Sequence, residues 1–564
     1  MIDDIQRIAL ETLEMNKQAL IFLPSRASAE KTAEDIAKLT ALNHPEIEKN
    51  ILAVVSSPTK QCRKLSLCVK KGIAFHHSGL VSSQREIVED EFKKGNIRII
   101  CATPTLAAGV NLPAFRVIIK SLKRYNEKWG MDWIPVLEYL QMAGRAGRPD
   151  YEKSGEAIAI AKDEREKEEI HERYVCGDPE EIYSKLAVEP VLRTYLLALI
   201  SSGLINDHES MMEFFSKTFW AFQFKDMAQL EKIMDKMLKL LKDWQFVTIS
   251  GDGNDRENGI SGDEKSEDKN RENGEIDTGF VSASNLLNKK ETKSRMRATF
   301  IGKRISELYL DPLTAKHLLD CLQEYNRKVN DKEEEDNNNN DNNSTNDNHN
   351  SKSNNESPDI FSLLQMITHT LEIRPLLSVK AKEHDTIQEE FNKRYGLLLE
   401  REPSPFDLEY GEFMNSIKTA LFLQEWCEEK EEDFLLEKYD IRPGEIRFKL
   451  DTADWLLYAA EELSKIVDNK KAVRELVRLR IRVKNGVKEE LLPLLKLKGI
   501  GRVRARRMFG HGIKNLGDVK KIDLATLSQI LGKAIGEDVK KQVGEEVEEI
   551  PAGRRKGQLS MEKY

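Results

Sequence analysis

The chain has 564 residues, of which 40% are hydrophobic and 33% charged, and its formal net charge is −8. This length predicts roughly three to five domains, each large enough for a core of its own. No stretch approaches the ~18 uncharged apolar residues that a membrane helix needs, and no signal-peptide pattern opens the chain, so we expect a cytoplasmic protein with no membrane partner. The six cysteines form no Cys-x-x-Cys pair and have no histidine at ligand spacing, which predicts reduced thiols and no metal site of the protein's own.

The first third of the chain alternates strand and helix patterns. Segments within 18–26, 72–80 and 98–105 each read as a buried strand that ends in polar side chains. Because parallel strands place ligands at their carboxyl edge, we expect an α/β domain with phosphate-contacting turns. The third turn continues to Gly109, where the pattern predicts the start of a helix, and to Asn111. The candidate contacts at the three turns are Ser25, Arg26, His77, Thr103 and Thr105.

Residues 141–148, Gln-Met-Ala-Gly-Arg-Ala-Gly-Arg, carry two arginines three positions apart. An arginine offers planar donors to the charge that spreads over a transferring phosphoryl group, an effect of ~10³ to 10⁵ in rate. The glycines let the backbone approach closely, and Gln141 is suited to orient the attacking water. The stretch predicts a γ-phosphate reader in which Arg145 and Arg148 are catalytic. The alternative is a helix N-terminus with a solvated basic face.

Between the third turn and this arginine stretch, two extended runs within 117–135 flank a polar turn, which predicts a β-hairpin. Tyr125 and Trp129 lie near its tip, where an aromatic ring can stack on a base. Trp133 and Pro135 are also suited to packing against the domain.

The negative charge is concentrated in two asparagine-rich insertions. These lie within 251–279 and 330–358, and they are too polar to form a core, so we expect disordered loops. Residues 471–507, in contrast, contain thirteen Lys or Arg against three Glu. This block predicts a surface that tracks nucleic-acid phosphates, with a solvated helix face as the alternative.

A helical pattern begins at Pro443, and its Leu, Trp and Tyr side chains recur at helical spacing. Arg447, Lys449 and Trp455 are its candidate nucleic-acid contacts. Phe448 occupies the position seven before Trp455, where a cation would share the same face. A core position is an equally good interpretation of Trp455.

The basic block ends in Leu-Lys-Gly-Ile-Gly at 497–501, followed by arginines. A Gly-x-Gly turn between helices exposes N–H groups that can hold a phosphate, so we predict a helix-hairpin-helix. A packing unit without DNA contact is the alternative. The candidate contacts are Gly499, Gly501, Arg502 and Arg504.

Gln558, Met561 and Tyr564 have the spacing of a sliding-clamp-binding peptide, which folds into one turn and fills an apolar pocket. The expected partner is a sliding clamp or a single-strand-binding protein. Only one terminal aromatic is present where the full motif has two, so a chance match in a tail is the alternative.

These segments together resemble a known family. Residues 18–26, 98–114 and 141–149 are similar to motifs IV, V and VI of superfamily 2 helicases, in the form used by the superkiller-like branch. Further similarity to archaeal DNA-repair helicases related to HelQ and to the helicase part of polymerase theta lies in residues 181–193, 213–220 and 302–315. The resemblance covers nearly the whole chain apart from the two insertions.

The resemblance implies an α/β motor domain followed by mostly helical domains. The implied order is a second RecA-like domain with a strand-separating hairpin at 1–170, a winged helix at 171–312, a helical ratchet domain at 313–484, a helix-hairpin-helix at 485–545 and a tail at 546–564. In that family the hairpin acts as a wedge in the duplex, and the helix that opens at Pro443 lies along the translocating strand.

The family hydrolyses ATP with Mg²⁺ in a cleft between two RecA-like domains, which implies nucleotide contacts at Gly109, Asn111 and Gly144. No Gly-x-x-x-x-Gly-Lys-Ser/Thr loop and no Asp-Glu-x-His strand end occurs in the 564 residues. The Mg²⁺ ligands are therefore expected on a first RecA-like domain. We expect the sequence to be a truncated gene model or one half of a split helicase, inactive alone, whose partner is that domain or a separate subunit.

The implied function is that of the C-terminal part of an ATP-dependent 3′-to-5′ DNA helicase that acts on single strands and forks or in DNA repair. A non-enzymatic DNA-binding or clamp-associated remnant is one alternative, and an RNA helicase of the same branch is another. The retained arginine pair favours the enzyme, because a pure binding module has no use for it.

Overall fold

The structure is a computed structural model that describes residues 3–55, 58–126, 130–147, 154–250, 295–341 and 358–544. They form two compact units. The first unit is drawn from within 1–181, 349–458 and 474–564, and the second from within 182–348 and 459–473. In the described part of the chain, no helix combines the length and the apolar character needed to span a membrane.

A parallel sheet of five strands lies at the centre of the first 181 residues. With one hairpin included, the strands in chain order are β1 Ala19–Phe22, β2 Ile73–His76, β3 Ile99–Ala102, β4 Arg116–Ile119, β5 Lys123–Asn126, β6 Gly130–Trp133 and β7 Glu156–Ala159. The sheet order is β2-β3-β1-β4-β7, and β5 pairs with β6 in a separate antiparallel hairpin. Strands β1 to β4 are buried along their whole length, which is typical of parallel strands covered by helices.

Helices follow the strands as the α/β pattern predicts, and a further helix precedes β1. Polar caps begin several helices: the side-chain oxygens of Ser25, Thr59 and Asp163 each accept a backbone N–H of the next turn. The helices are α1 Asp4–Glu14, α2 Arg26–Ala37, α3 Pro45–Ala53, α4 Lys60–Lys70, α5 Ser82–Lys93, α6 Thr105–Gly109, α7 Val136–Ala143 and α8 Glu164–Ile170.

The second unit contains helices around a short antiparallel hairpin. Its elements are α9 Glu189–Ser201, α10 His208–Ser216, α11 Phe219–Phe224, α12 Met227–Asp243, β8 Val247–Ser250, β9 Arg295–Ala298, α13 Phe300–Glu307 and α14 Pro312–Asp341. Gly302 lies directly against the β8 side of the unit, because a Cβ at this position would lie 2.0 Å from the carbonyl oxygen of Phe246. The predicted insertion at 251–279 lies outside the described residues.

Helix α14 corrects one expectation. The sequence predicted a disordered loop from residue 330, but the helix continues to Asp341, twelve residues into that range. Charged side chains spaced three and four apart accompany this extension: Arg327 bonds to Glu324 and Asp331. Polar composition alone therefore placed the end of this helix too early.

A second helical region follows at residues 358–485. Its helices are α15 Ile360–Thr368, α16 His384–Arg394, α17 Tyr410–Cys427, α18 Glu432–Tyr439, α19 Pro443–Ile466 and α20 Lys470–Asn485. Helix α17 is apolar around much of its circumference and packs against α15. The predicted long helix at Pro443 is present as α19.

The described chain ends in a small helical group with a core of its own, which contains Val487, Leu494, Ile500, Met508 and Leu527. Its helices are α21 Arg502–Gly510, α22 Leu516–Lys521, α23 Leu524–Leu531 and α24 Lys533–Gln542. The Leu-Lys-Gly-Ile-Gly turn precedes α21.

Candidate functional site

The three predicted turns meet at one edge of the sheet. Strand β3 pairs with β2 on one side and β1 on the other, so their carboxyl ends are adjacent. The N–H of Thr103 donates to the carbonyl of His76 (3.3 Å), and the N–H of Leu23 donates to Ala102 (2.8 Å). Thr103 and Thr105 share a hydrogen bond between their hydroxyls at 3.0 Å. The turns predicted as separate phosphate contacts thus form one connected surface.

The turn after β3 differs in detail from the prediction. The helix there begins at Thr105 and ends at Gly109, rather than beginning at the glycine. Gly109 is exposed, and a Cβ added to it would meet no atom within 4 Å. Asn111 is also exposed. Both residues therefore have the open surroundings that a nucleotide contact requires.

The arginine stretch is fixed to this turn by backbone hydrogen bonds. The N–H of Ala114 donates to the carbonyl of Arg145 (2.9 Å), and the N–H of Gly147 donates to the carbonyl of Ala114 (2.7 Å). Gly147 has φ +95°, a conformation that favours glycine. A Cβ at Gly155 would lie 2.1 Å from the Gly147 nitrogen, so this close approach also requires glycine.

Arg145 points back onto the same turn. Its Nε donates to the carbonyl of Ala107 at 3.0 Å, its Nη2 donates to the same oxygen, and its Nη1 lies 3.5 Å from Asn111 Oδ1. The guanidinium thus holds the turn that carries Gly109. This contact gives Arg145 a positioning role that the sequence did not predict. Arg148 lies outside the described residues, and its catalytic role stays a prediction.

The remaining predicted groups of the stretch are exposed. Gln141 lies in the last turn of α7, and Gly144 follows it directly, so the stretch lies at the end of a helix rather than at a helix N-terminus. A Cβ at Gly144 would approach the carbonyl oxygen of Leu140 to 2.9 Å. Gln141, Gly144, Gly109 and Asn111 are therefore exposed on the two segments that the Arg145 contact joins.

Two predicted DNA contacts at the sheet edge have other partners. Arg26 forms an ion pair with Glu445 at the start of α19. His77 is 0% exposed, its Nδ1 accepts the N–H of Gly79 at 3.1 Å, and its ring stacks on Phe75. The His77 ring is fully buried in this structure, so it is not available for the DNA contact that the sequence predicted. Ser25 remains exposed as the cap of α2.

The predicted hairpin exists as β5 and β6, whose register runs from Lys123 opposite Trp133 to Asn126 opposite Gly130. Trp133 lies under the Lys123 ammonium (4.0 Å to the ring centroid) and beside Tyr174. This supports the packing alternative for Trp133. Tyr125 belongs to β5, whereas Trp129 lies outside the described residues.

Helix α19 presents different side chains from those predicted. Arg447 is exposed, but Lys449 is only 3% exposed and its Nζ donates to the carbonyl of Pro375 at 2.6 Å. Lys449 is therefore not a DNA contact in this structure. Phe448 is 49% exposed, and Trp455 is half-buried seven positions later. The exposed aromatic was missed, although the seven-residue spacing from Trp455 was a usable signal.

The buried ammonium of Lys449 predicts a pH effect. Burial lowers the pKa of Lys449 from 10.5 to about 8. Between these two values the unfolded chain binds more protons than the folded chain, so the contribution of Lys449 to stability rises with pH across this window. The variant Lys449→Met lacks this pH-dependent contribution to the free energy of unfolding. We expect urea unfolding from pH 8 to 10.5 to show a rise in wild-type stability on the order of 2 kcal/mol relative to the variant.

The matched control is Lys470→Met, because the Lys470 side chain is 87% exposed. Its unfolding free energy should follow the wild-type pH dependence. A wild-type curve parallel to that of Lys449→Met would contradict the assignment.

The predicted Gly-x-Gly turn has the required backbone. Gly499 has φ +79°, and added Cβ atoms at Gly499 and Gly501 would meet nothing within 4 Å. Arg504 is exposed and donates to the carbonyl of Gly499 at 2.7 Å. Arg502 instead donates to the carbonyl of Lys430 and lies over the Trp426 ring. The turn is therefore open for a ligand, whereas Arg502 contributes to packing.

Three side chains with metal-binding atoms meet in the second unit. His208 Nε2 lies 3.3 Å from Glu231 Oε1 and 3.7 Å from Asp235 Oδ1. Each is about half exposed, so an exposed charge cluster accounts for the arrangement. The predicted clamp-binding residues Gln558, Met561 and Tyr564 lie outside the described residues.

Comparison with known proteins identifies two helicase domains and several similar helicases. Residues 2–150 match the helicase conserved C-terminal domain, and residues 361–486 match the archaeal helicase, domain 4. A protein of Pyrococcus horikoshii named ATP-dependent DNA helicase Hel308 is 33% identical over 565 residues, which cover 98% of this chain and 68% of that protein. Proteins of the same name from Methanococcus vannielii and Methanocella arvoryzae are 34% and 30% identical, with 88% and 97% of this chain and 61% and 66% of theirs covered.

The chain thus spans about two thirds of the length of these relatives, from 61% to 68%. Its sheet domain has the RecA-like fold of the helicase C-terminal domain. The chain belongs to the Hel308 family of archaeal superfamily 2 DNA helicases.

Proposed function

We propose that this chain is the part of an ATP-dependent 3′-to-5′ DNA helicase that reads the γ-phosphate and grips DNA. The observation that carries the proposal is the contact between the arginine stretch and the turn after β3. Arg145 and the backbone of Ala114 join the two segments, so a displacement of the arginine stretch by the nucleotide would also displace the turn. Thr103 and Thr105 lie on the same turn. One rigid connection thus links a phosphate-reading segment to a candidate DNA-contacting segment.

The exposed groups around Arg145 fit one side of an ATP site. Gln141 would orient water, and Gly109, Asn111 and Gly144 leave room for the nucleotide. ATP, when bound with Mg²⁺, supplies the phosphoryl group whose hydrolysis drives movement. The 564 residues contain no phosphate-loop motif, so the groups that hold the β-phosphate and Mg²⁺ would come from another domain or subunit.

Several elements would hold DNA. We propose that residues 171–312 form a winged helix, because α9, α12 and α13 pack against the β8–β9 hairpin. The hairpin β5–β6, to which Tyr125 belongs, would act as a wedge, and the predicted contact Trp129 lies outside the described residues. Helix α19 would be the ratchet helix, which presents Arg447, Phe448 and Trp455. The open Gly499 turn with Arg504 would hold a backbone phosphate as a helix-hairpin-helix does.

Two alternatives are less well supported. A DNA-binding remnant without enzymatic activity would not need Arg145 to hold the turn that carries Gly109. An RNA helicase of the same branch is disfavoured because the similar proteins are named DNA helicases. A sliding clamp or a single-strand-binding protein as partner rests on the tail residues alone.

Strand displacement tests the proposal. The 564-residue chain would be joined to the part of the Pyrococcus horikoshii relative that it does not span, and incubated with a labelled forked duplex. We expect ATP, but not a non-hydrolysable analogue, to support displacement, and a 3′ tail to be preferred over a 5′ tail. The complete relative is the positive control. DNA binding without displacement, when the relative is active, would favour the binding remnant.

A further inference from the structure

The first turn of α19 contacts the loop after β2 directly. The N–H of Gly444 donates to the carbonyl of Gly79 at 2.9 Å. A Cβ at Gly444 would lie 2.2 Å from the carbonyl oxygen of Ser78 and 2.8 Å from that of Leu80. No larger residue fits without displacing backbone. The start of this helix thus packs directly against the sheet domain, with the two main-chain segments in close contact.

Two ion pairs flank this backbone contact. Arg26, which follows β1, pairs with Glu445, and Arg442 Nη1 lies 3.6 Å from Glu30 Oε1. Glu445 also accepts the N–H of Arg442 at 2.9 Å, so the carboxylate is held at the helix start. Both pairs join residues of the sheet domain to residues next to or within α19. Their separation in sequence exceeds 400 residues.

Glu30 is the buried member of this set, at 6% exposure. It accepts Gln61 Nε2 at 2.6 Å and faces His77 Nε2 at 3.3 Å. Burial opposes its ionisation, but the nearby His77 ring, the hydrogen bond from Gln61 and the charge of Arg442 outweigh burial and hold the pKa of Glu30 below its usual value. The His77 loop is therefore part of the contact with the helix.

The same contact reaches the candidate nucleotide and DNA turns. His76, which precedes the loop, accepts the N–H of Thr103. Arg26 lies one residue after the Ser25 cap on the adjacent strand end. One main-chain hydrogen bond and two ion pairs thus join this sheet edge to the start of α19.

We propose that Arg26, Gly444 and Glu445 are positioning residues that join helix α19 to the sheet edge, so that the DNA-contacting helix moves together with the motor domain. The inference rests on the proposed helicase function and deepens it. The joint couples ATP hydrolysis to strand displacement, and its loss leaves hydrolysis running with less displacement per ATP. Arg26 serves this joint rather than a DNA phosphate.

The joint itself is tested in the 564-residue chain by hydrogen exchange with Gly444→Ala. The matched control is Gly411→Ala, because Gly411 occupies the second position of α17 and a Cβ there meets nothing within 4 Å. We expect faster exchange at 77–82 and 441–450 in Gly444→Ala alone. If both segments of Gly444→Ala exchanged at the wild-type rate, the proposed joint would be wrong.

Coupling is tested by charge reversal in the joined protein described above. Arg26→Glu and Glu445→Arg should each lower the number of strands displaced per ATP by about tenfold, with ATP turnover within about twofold of wild type. The double reversal should restore the ratio, because the pair is re-formed with opposite polarity. The control pair is Arg374→Glu with Glu412→Arg, a similarly exposed ion pair inside the second helical region.

Two results would overturn the coupling role. Equal losses of turnover and displacement would make the pair merely structural or catalytic. The second result is weaker DNA binding in Arg26→Glu that does not occur in Glu445→Arg and is not restored in the double reversal. It would mean that Arg26 contacts a DNA phosphate instead. A wild-type joined protein that displaces no strand would contradict the proposed function instead, and the exchange experiment would still decide the joint.

Discussion

Replacing Arg148 by alanine is expected to leave ATP binding intact and to lower ATP hydrolysis in the joined protein by about 10³. Arg148 lies three positions after Arg145, and Arg145 is occupied by the carbonyl of Ala107. Arg148 is therefore the better candidate for contact with the transferring phosphoryl group. A guanidinium that contacts this group would stabilise charge that develops mainly in the transition state, so we expect its loss to lower the rate and not the binding.

The measurement pairs single-turnover phosphate release with the binding of a fluorescent ATP analogue. Arg145→Lys is the informative comparison, because lysine keeps the charge but lacks the planar fork that reaches Ala107 and Asn111 together. In this variant we expect the DNA-stimulated rate of ATP hydrolysis to fall more than the rate measured without DNA. Turnover like that of wild type in Arg148→Ala would assign the catalytic arginine to Arg145.

Replacing Asp311 by alanine is expected to destabilise the second unit by about 3–5 kcal/mol. Arg193 and Asp311 are paired by two hydrogen bonds, Nε to Oδ1 at 2.6 Å and Nη2 to Oδ2 at 2.8 Å. Their side chains are only 6% and 10% exposed. Removal of one partner leaves the arginine charge buried without a counter-ion, and Asp311 also accepts the N–H of Leu313. Urea unfolding followed by circular dichroism measures the loss.

The control is the double variant Arg193→Met with Asp311→Leu. It removes the whole pair, so no buried charge remains, and we expect a smaller loss of stability than for Asp311→Ala. Lys217→Ala, which breaks an exposed pair with Glu213, should change stability by less than ~0.5 kcal/mol. An Asp311→Ala protein about as stable as Lys217→Ala would refute the importance of the buried pair.

The sequence alone determined the α/β motor, its order of motifs and the family. Strand β3 and the turn after it were predictable because burial pattern, hydroxyl side chains and glycines are local properties. The Gly499 turn and helix α19 were predictable for the same reason. Arg193 and Asp311 both lie in segments that resemble the family, but the resemblance did not predict that the two residues pair across 118 positions.

Only the tertiary structure decided which polar side chains are available to a ligand. Arg26 pairs with a carboxylate 419 positions away, Lys449 donates to a carbonyl 74 positions away, and Arg502 donates to one 72 positions away. His77 is closed off by burial against Phe75. The sequence pattern around a cationic side chain is the same whether that side chain faces DNA or a distant residue of the chain. The pattern indicates only on which local face of a helix or turn the residue lies, and not what the folded chain places against that face.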